Sequence, residues 1–176
     1  SPPRELDPRF RDELWPEPEL WHFEAVAWRE RCPFTRELMR RARAGDDPME
    51  LALFQPDGLV AADVARFWDE LVPLVGLERR RDLETLADVS AEVRARWGQA
   101  QRRALFRLLG RFKLMLVARW EPLYLRPRRT EKLAAKSYFE LWLLAGHVIG
   151  QGRDVFRQVL GDPKRAAAEL DQLTPQ

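Results

Sequence analysis

Apolar residues recur along most of this chain every three or four positions, which is the period of an amphipathic helix. The segment 63–75 illustrates the pattern, with apolar residues at Val64, Phe67, Trp68, Leu71, Val72 and Val75. Alternation with a period of two, which marks a half-buried strand, does not fit these positions. The pattern predicts a helix over 63–75 that Pro73 bends or ends.

The longest predicted helix runs from about Gln99 to Trp120 and stops at Pro122. On a helical wheel of about 100° per residue, its apolar side chains cover roughly half of the circumference. A basic face lies opposite them, provided that the helix extends back through Gly98. The residues of this predicted face are Arg96, Arg103, Arg107 and Arg111.

Capping residues predict where shorter helices begin and end. Thr35 favours a helix start, and that helix continues to Arg43 before Gly45 ends it. The Asp-Pro pairs at 47–48 and 162–163 each place a capping carboxylate before a proline at the first helical position. Each pair therefore predicts a further helix start.

The segment from Glu131 to Ile149, capped by Thr130, is apolar around more than half of its circumference, which indicates a buried central helix. Glycines at 150 and 152 end it, and short helices are predicted at 154–160 and 164–173. Strand signals are nearly absent from the sequence.

Together these elements predict an all-α fold, a single compact domain of six to eight helices around the buried helix near 131–149. The helix at 99–120 is expected to pack against it. Residues 1–20 hold five of the 13 prolines and predict an N-terminal arm, which leaves 21–176 as the helical domain.

Composition excludes several classes of protein. Cys32 is the single cysteine, so no internal disulfide forms, and with two histidines it is too little for a structural zinc site. The longest uncharged apolar stretch, 141–152, is about half of the roughly 20 residues that a bilayer span requires. We therefore expect a soluble, cytoplasmic protein that has no cofactor, binds no metal and contacts no membrane.

Charge is distributed unevenly along the chain. Residues 94–132 hold 12 Lys and Arg against two Asp and Glu, a net charge of +10, whereas residues 1–70 carry a net charge of −6. Arginine supplies 26 of the 30 basic residues. The codon bias of a GC-rich bacterial genome is the favoured interpretation of that excess, but it does not explain why the basic residues gather in one segment.

Recognisable catalytic motifs are missing from this sequence. His147 lies in the most apolar helix without a second histidine near it, and we interpret it as a core histidine rather than a functional one. Cys32 has no base placed beside it. The loop 150–153 resembles a glycine-rich anion loop, but a helix cap and tight turn is the favoured interpretation. The adjacent acids at 46–47 diverge and are expected on the surface. We expect no enzyme activity.

The predicted function is that of a non-catalytic helical binding module whose arginine-rich segment 94–132 contacts an anionic partner, with DNA or RNA as the candidate. The candidate contact residues are Arg96, Arg103, Arg107, Arg111, Arg126, Arg128 and Arg129. Trp97 and Trp120 flank the basic helix. Their helical spacing favours a place in the core, and a stacking platform for single-stranded nucleic acid is the alternative.

Two other interpretations of the charge pattern remain open. The acidic first 70 residues complement the basic segment, so the partner is alternatively a protein, including a second copy of this chain in a homodimeric regulatory or immunity-type protein. The acidic arm could equally fold over the basic segment within one molecule.

Aromatic and glycine landmarks follow one another in a distinctive order from residue 63 onward. They are Arg66–Leu71, Leu105–Phe106, Trp120–Tyr124, Tyr138–Phe139, Trp142–Leu143, Gly150–Phe156 and Asp162–Pro163. This order resembles an uncharacterised bacterial helical domain of unknown function that is sometimes found beside WGR domains in MolR-type proteins. The resemblance covers residues 63–173, implies an all-helical bacterial domain and carries no assigned reaction.

Overall fold

A computed structural model of the chain describes residues 33–54, 58–75, 91–124 and 138–164. Every regular element in these ranges is helical, which confirms the all-α prediction. The α-helices are α1 (Pro33–Arg43), α2 (Pro48–Leu51), α3 (Ala61–Arg66), α4 (Val72–Val75), α5 (Gln99–Tyr124), α6 (Tyr138–Gly150) and α7 (Arg153–Gly161). A π-helical turn, Phe67–Leu71, joins α3 to α4, and a short helical segment at 91–96 precedes α5. The predicted arm at 1–20 lies outside the described residues.

The corner between α1 and α2 forms as the capping residues predict. Gly45 adopts a φ of +86°, the left-handed conformation that glycine reaches without a steric penalty. Its N–H donates to the carbonyl of Ala42 at 3.2 Å, and the N–H of Asp46 donates to the carbonyl of Arg41 at 3.1 Å. This pair of bonds is a Schellman motif, which satisfies carbonyls at the end of α1.

Aspartate caps the next helix, as the Asp-Pro pattern predicts. The carboxylate of Asp47 accepts a hydrogen bond from the Met49 N–H at 2.9 Å, and Pro48 occupies the first helical position. The start of α1 differs from the prediction, because α1 begins at Pro33 and Thr35 is buried inside it. Proline has a φ suited to the first turn and no N–H to satisfy there, so the helix extends past the predicted cap.

Pro73 disturbs its helix without ending it. The helix starts at Ala61, two residues earlier than predicted, where the Asp63 carboxylate accepts the Val60 N–H at 2.9 Å. The N–H of Val72 donates five residues back, to the carbonyl of Phe67. In α-helical geometry a proline ring clashes with the carbonyl four residues earlier, and the wider π-helical turn comes directly before Pro73.

α5 continues through Pro122 to Tyr124, so the prediction that it stops at Pro122 is wrong. Proline has no N–H and leaves the carbonyl four residues earlier, that of Ala118, without its helical donor. The Nε–H of Arg43 donates to that carbonyl at 3.3 Å. A hydrogen bond from α1 thus replaces the one that the proline removes.

α5 is the central helix among the described elements. It contacts α1, α3, α6 and α7, and its residues from 108 to 118 are all buried. The predicted packing of the 99–120 helix against the buried helix near 131–149 is confirmed, since α6 lies against α5. α6 buries most of its circumference and leaves Leu143 46% exposed, while its predicted start at 131–137 lies outside the described residues.

Four aromatic rings join the π-helical turn, α5 and α7 at the core. The Phe112 ring centroid lies 4.9 Å from that of Trp68 and 5.2 Å from that of Phe156. Phe67 completes the cluster, with its centroid 5.1 Å from that of Phe112. Tilted and edge-on contacts at these distances stabilise aromatic pairs beyond their buried area.

Candidate functional site

A break in the helix at Trp97 and Gly98 interrupts the predicted basic face. Arg96 belongs to the helical segment 91–96, which ends before Trp97 and Gly98, so Arg96 does not lie on the same helix as Arg103. Arg102 stabilises the break, because its backbone N–H donates to Gly98 at 3.0 Å and its Nη1 donates to the Trp97 carbonyl at 3.0 Å. The condition on which the continuous face depended, a helix running through Gly98, is not met.

Exposed arginines nevertheless flank this break on both sides. Arg94 and Arg96 are exposed on the segment 91–96, and Arg103 and Arg107 are exposed one turn apart on α5. We call these four residues the exposed arginines. The first turn of α5 contains no acidic residue that would offset them or the positive end of the helix dipole. Glu92 approaches Arg96, with the carboxylate oxygen 3.8 Å from Nη2.

Arg111 is a correction to the predicted basic face. Its side chain is buried, and its Nη1 donates to the carbonyls of Ala52 and Phe54 in the chain after α2. The guanidinium carbon also lies 5.0 Å from the centre of the Phe34 ring, a cation–π contact. The predicted wheel position assumed solvent on that side of α5, whereas the start of α1 and the segment after α2 pack there, so Arg111 stabilises the fold.

Two more cations of the basic segment are structural. Arg119 donates from Nε to the Leu160 carbonyl at 3.2 Å and from Nη1 to the Arg43 carbonyl at 3.1 Å. It therefore caps carbonyls at the ends of both α7 and α1. Lys113 is buried with its Nζ 4.9 Å from the Trp142 ring centre. Arg126, Arg128 and Arg129 lie outside the described residues.

Two of the four arginines of α1, Arg40 and Arg41, are paired with an acid on their own helix. Arg40 donates to the Glu37 carboxylate at 2.6 Å, and Arg41 approaches the same group at 3.3 Å. The hydrogen bond from Arg40 lowers the pKa of Glu37 below its usual value. Glu37 is thus held ionised beside Arg40 and Arg41, and it offsets part of their positive charge.

Aromatic stacking is not offered by the tryptophans beside the exposed arginines. Trp97 is 6% exposed and Trp120 is fully buried, so the interpretation of both as core residues is confirmed. Nucleic acid contacts at this site would accordingly go to the charged backbone rather than to the faces of bases.

The glycine-rich loop and the adjacent acids, two of the remaining candidates, lie where the sequence predicts. The glycine-rich segment after α6 is a helix cap and tight turn, in which Gly152 has a φ of +108° and Gln151 donates to the Val148 carbonyl at 3.1 Å. His147 is half-buried on α6, and Cys32 lies outside the described residues. The predicted surface position of Asp46 and Asp47 is confirmed.

Neither a cluster of metal-ligating side chains nor a membrane-spanning helix occurs in the described ranges. None of the helices there combines the length and apolar character that a bilayer crossing requires. No group of three or more His, Cys, Asp and Glu side chains in those ranges is arranged to hold a metal ion.

No family model, curated protein or solved structure matches this chain. The resemblance to the WGR-associated helical domain therefore stays a prediction.

Proposed function

We propose that this protein is a non-catalytic helical module that binds nucleic acid through the exposed arginines. The observation that carries the proposal is local: residues 91–120 hold eight Lys and Arg against one acid, Glu92, and four of the eight are exposed. The exposed ones give the start of α5 a positive surface.

Arginine at such a surface favours phosphate as the partner group. Its planar guanidinium donates two parallel hydrogen bonds to a phosphate, and it is more weakly hydrated than a lysine ammonium. The N-terminal end of α5 adds partial positive charge beside Arg103. Because the neighbouring tryptophans are buried, binding is expected to depend on salt and only weakly on base sequence.

Several acidic groups among the described residues have structural partners, which favours a non-catalytic interpretation. Asp47 and Asp63 cap helices, Glu37 pairs with two arginines, and Glu121 accepts from Arg43 at 3.0 Å. General acid–base catalysis requires a group placed against a substrate with a second group to orient it. Carboxylates committed to caps and ion pairs on the fold are poorly placed for that work.

A gel shift with single- and double-stranded DNA and RNA at about 50 and about 200 mM salt tests the proposal. Four arginine–phosphate contacts predict an affinity loss of about 100-fold over that range. The test variant carries Arg103→Glu and Arg107→Glu, and it is expected to lose the shift at the lower salt.

The matched control carries Arg153→Glu and Arg157→Glu, because these residues are also exposed and one turn apart, on α7. It is expected to retain the shift. Absence of any shift for the unmodified protein at the lower salt, or equal loss in both variants, would contradict the proposal.

A protein partner, including a second copy of the chain, is the second candidate. It is favoured by Asp46 and Glu50, exposed acids that line an open cavity of about 310 Å³ beside α2 and complement the exposed arginines in charge, although Arg41 also lines this cavity. This function predicts a molar mass by light scattering that rises with protein concentration, together with no shift of nucleic acid.

A further inference from the structure

A second surface cavity of about 310 Å³ lies where the ends of α1 and α7 meet α5. It is separate from the exposed arginines, which do not line it. Its accessible apolar lining comes from the half-buried Pro48 and Leu160, because Leu51 and Met115, which also line it, are almost fully buried. The charged residues that line it are Arg119, Arg157 and Asp46.

Arg119 presents a donor whose orientation is fixed. Its Nε and Nη1 are held by the carbonyls of Leu160 and Arg43, at 3.2 and 3.1 Å. None of the described residues accepts a hydrogen bond from its Nη2. Because the two carbonyl bonds hold the guanidinium plane, little conformational entropy is lost when a ligand accepts from Nη2.

Arg157 supplies a second cation from α7. It is exposed at the cavity and makes no hydrogen bond or ion pair with another described residue. Two guanidinium groups beside one apolar space form a combination suited to an anion that carries a hydrophobic body.

Negative groups around the cavity limit how much negative charge a bound ligand can carry. Asp46 also lines the cavity, and the carbonyl ends of α1 and α7 carry partial negative charge. These groups oppose a second negative charge on the ligand, so a carboxylate is favoured over a phosphate dianion. The volume lies at the lower end of the range for small-molecule sites.

We propose that this cavity binds a small organic monocarboxylate, with the carboxylate between Arg119 and Arg157 and the apolar body against Pro48 and Leu160. This site is independent of nucleic acid binding. Either proposal can fail while the other holds.

Ligand-observed NMR titration of the full chain with hexanoate tests the site. Hexanoate is compared with 1-hexanol, which lacks the charge, with hexylammonium, which reverses it, and with inorganic phosphate, which lacks the apolar body. A Kd on the order of 1 mM is expected for a ligand with so few atoms. The other three compounds are expected to bind at least about tenfold more weakly.

Arg157→Gln is the test variant, because this exposed side chain has no partner whose loss would unfold the protein. It is expected to weaken hexanoate binding about tenfold. Arg153→Gln is the matched control, since Arg153 is also exposed to solvent, lies one turn earlier on α7 and does not line the cavity. It is expected to leave the Kd unchanged.

Three results would overturn the proposal. They are an absence of hexanoate binding up to about 10 mM, ten times the expected Kd, equal binding of hexanoate and 1-hexanol, and equal weakening by Arg157→Gln and Arg153→Gln. Strong binding of phosphate alone would also contradict it, because the site would then be a general anion site without a role for the apolar wall.

Discussion

Arginine serves opposite purposes in the two parts of α5, which we call its first half (residues 99–107) and its second half (residues 108–124). In the first half, Arg103 and Arg107 are exposed to solvent. In the second half, Arg111 is buried against carbonyls after α2, and Arg119 donates to the ends of α1 and α7. A net charge of +10 along the sequence therefore overstates the surface that is available to a partner.

Packing rather than sequence pattern separates the two halves. α1, α6 and α7 contact α5, and its second half is enclosed to the point that every residue from 108 to 118 is buried. Arginine tolerates that environment where backbone carbonyls accept its hydrogen bonds, since a buried charge without partners is costly. We infer that the first half of α5 serves recognition and the second half serves stability.

Phe112→Ala is expected to have the largest effect on stability. Phe112 contacts three other aromatic rings and is fully buried, so its truncation leaves a cavity at the junction of three elements. The expected loss is about 4 kcal/mol in the free energy of unfolding, measured by urea denaturation. Phe112→Leu is the control and should cost about 1 kcal/mol. Equal, small losses for both would show that the second half of α5 is not the centre of the core.

Arg111→Met is expected to rank next and contrasts the two halves directly. The substitution keeps an unbranched side chain of similar length but leaves the carbonyls of Ala52 and Phe54 without their donor. We expect a loss of about 3 kcal/mol by urea denaturation. Arg107→Met, one turn earlier and exposed, should change the free energy of unfolding by less than about 0.5 kcal/mol. A similar effect of the two substitutions would contradict the division.

Arg119→Met is expected to cost less, about 2 kcal/mol, because the side chain is partly exposed and solvent can replace part of its hydrogen bonding. The change removes donors from the carbonyls of Arg43 and Leu160. Amide hydrogen exchange should quicken in the last turns of α1 and α7 more than in α6. Uniform quickening across all three helices would show that Arg119 acts on global stability instead.

Local rules predicted much of the fold. Gly45 ends α1 and Asp47 caps α2 as expected, because both effects depend on residues within one turn of each other. The helix continues through Pro73 and Pro122 because the cost of each proline is met elsewhere, by a π-helical turn and by the Nε–H of Arg43. Arg43 is 75 residues away from Ala118, whose carbonyl it satisfies, and this separation is beyond the reach of a local rule.

The candidate site was less predictable than the fold. Helical periodicity placed Arg103 and Arg107 correctly on an exposed side of α5. The same wheel placed Arg111 beside them, because a wheel contains no information about the other segments, the start of α1 and the residues after α2, that cover that side of α5. Arg94 belongs to the exposed arginines but was not among the predicted contact residues, since a continuous wheel through Gly98 places it opposite Arg103, on the apolar side. The sequence feature that pointed to Arg94 was its position within the basic segment 94–132.

Salt dependence of nucleic acid binding tests the central claim most directly. The measurement is the slope of log affinity against log salt for the unmodified protein and for the variant with Arg103→Gln and Arg107→Gln. Each phosphate contact contributes about 0.9 to the slope on duplex DNA and about 0.7 on a single strand. The account predicts that the variant's slope is shallower by about 1.4 to 1.8, with an unchanged free energy of unfolding. An unchanged slope, or a slope that falls only together with stability, would contradict it.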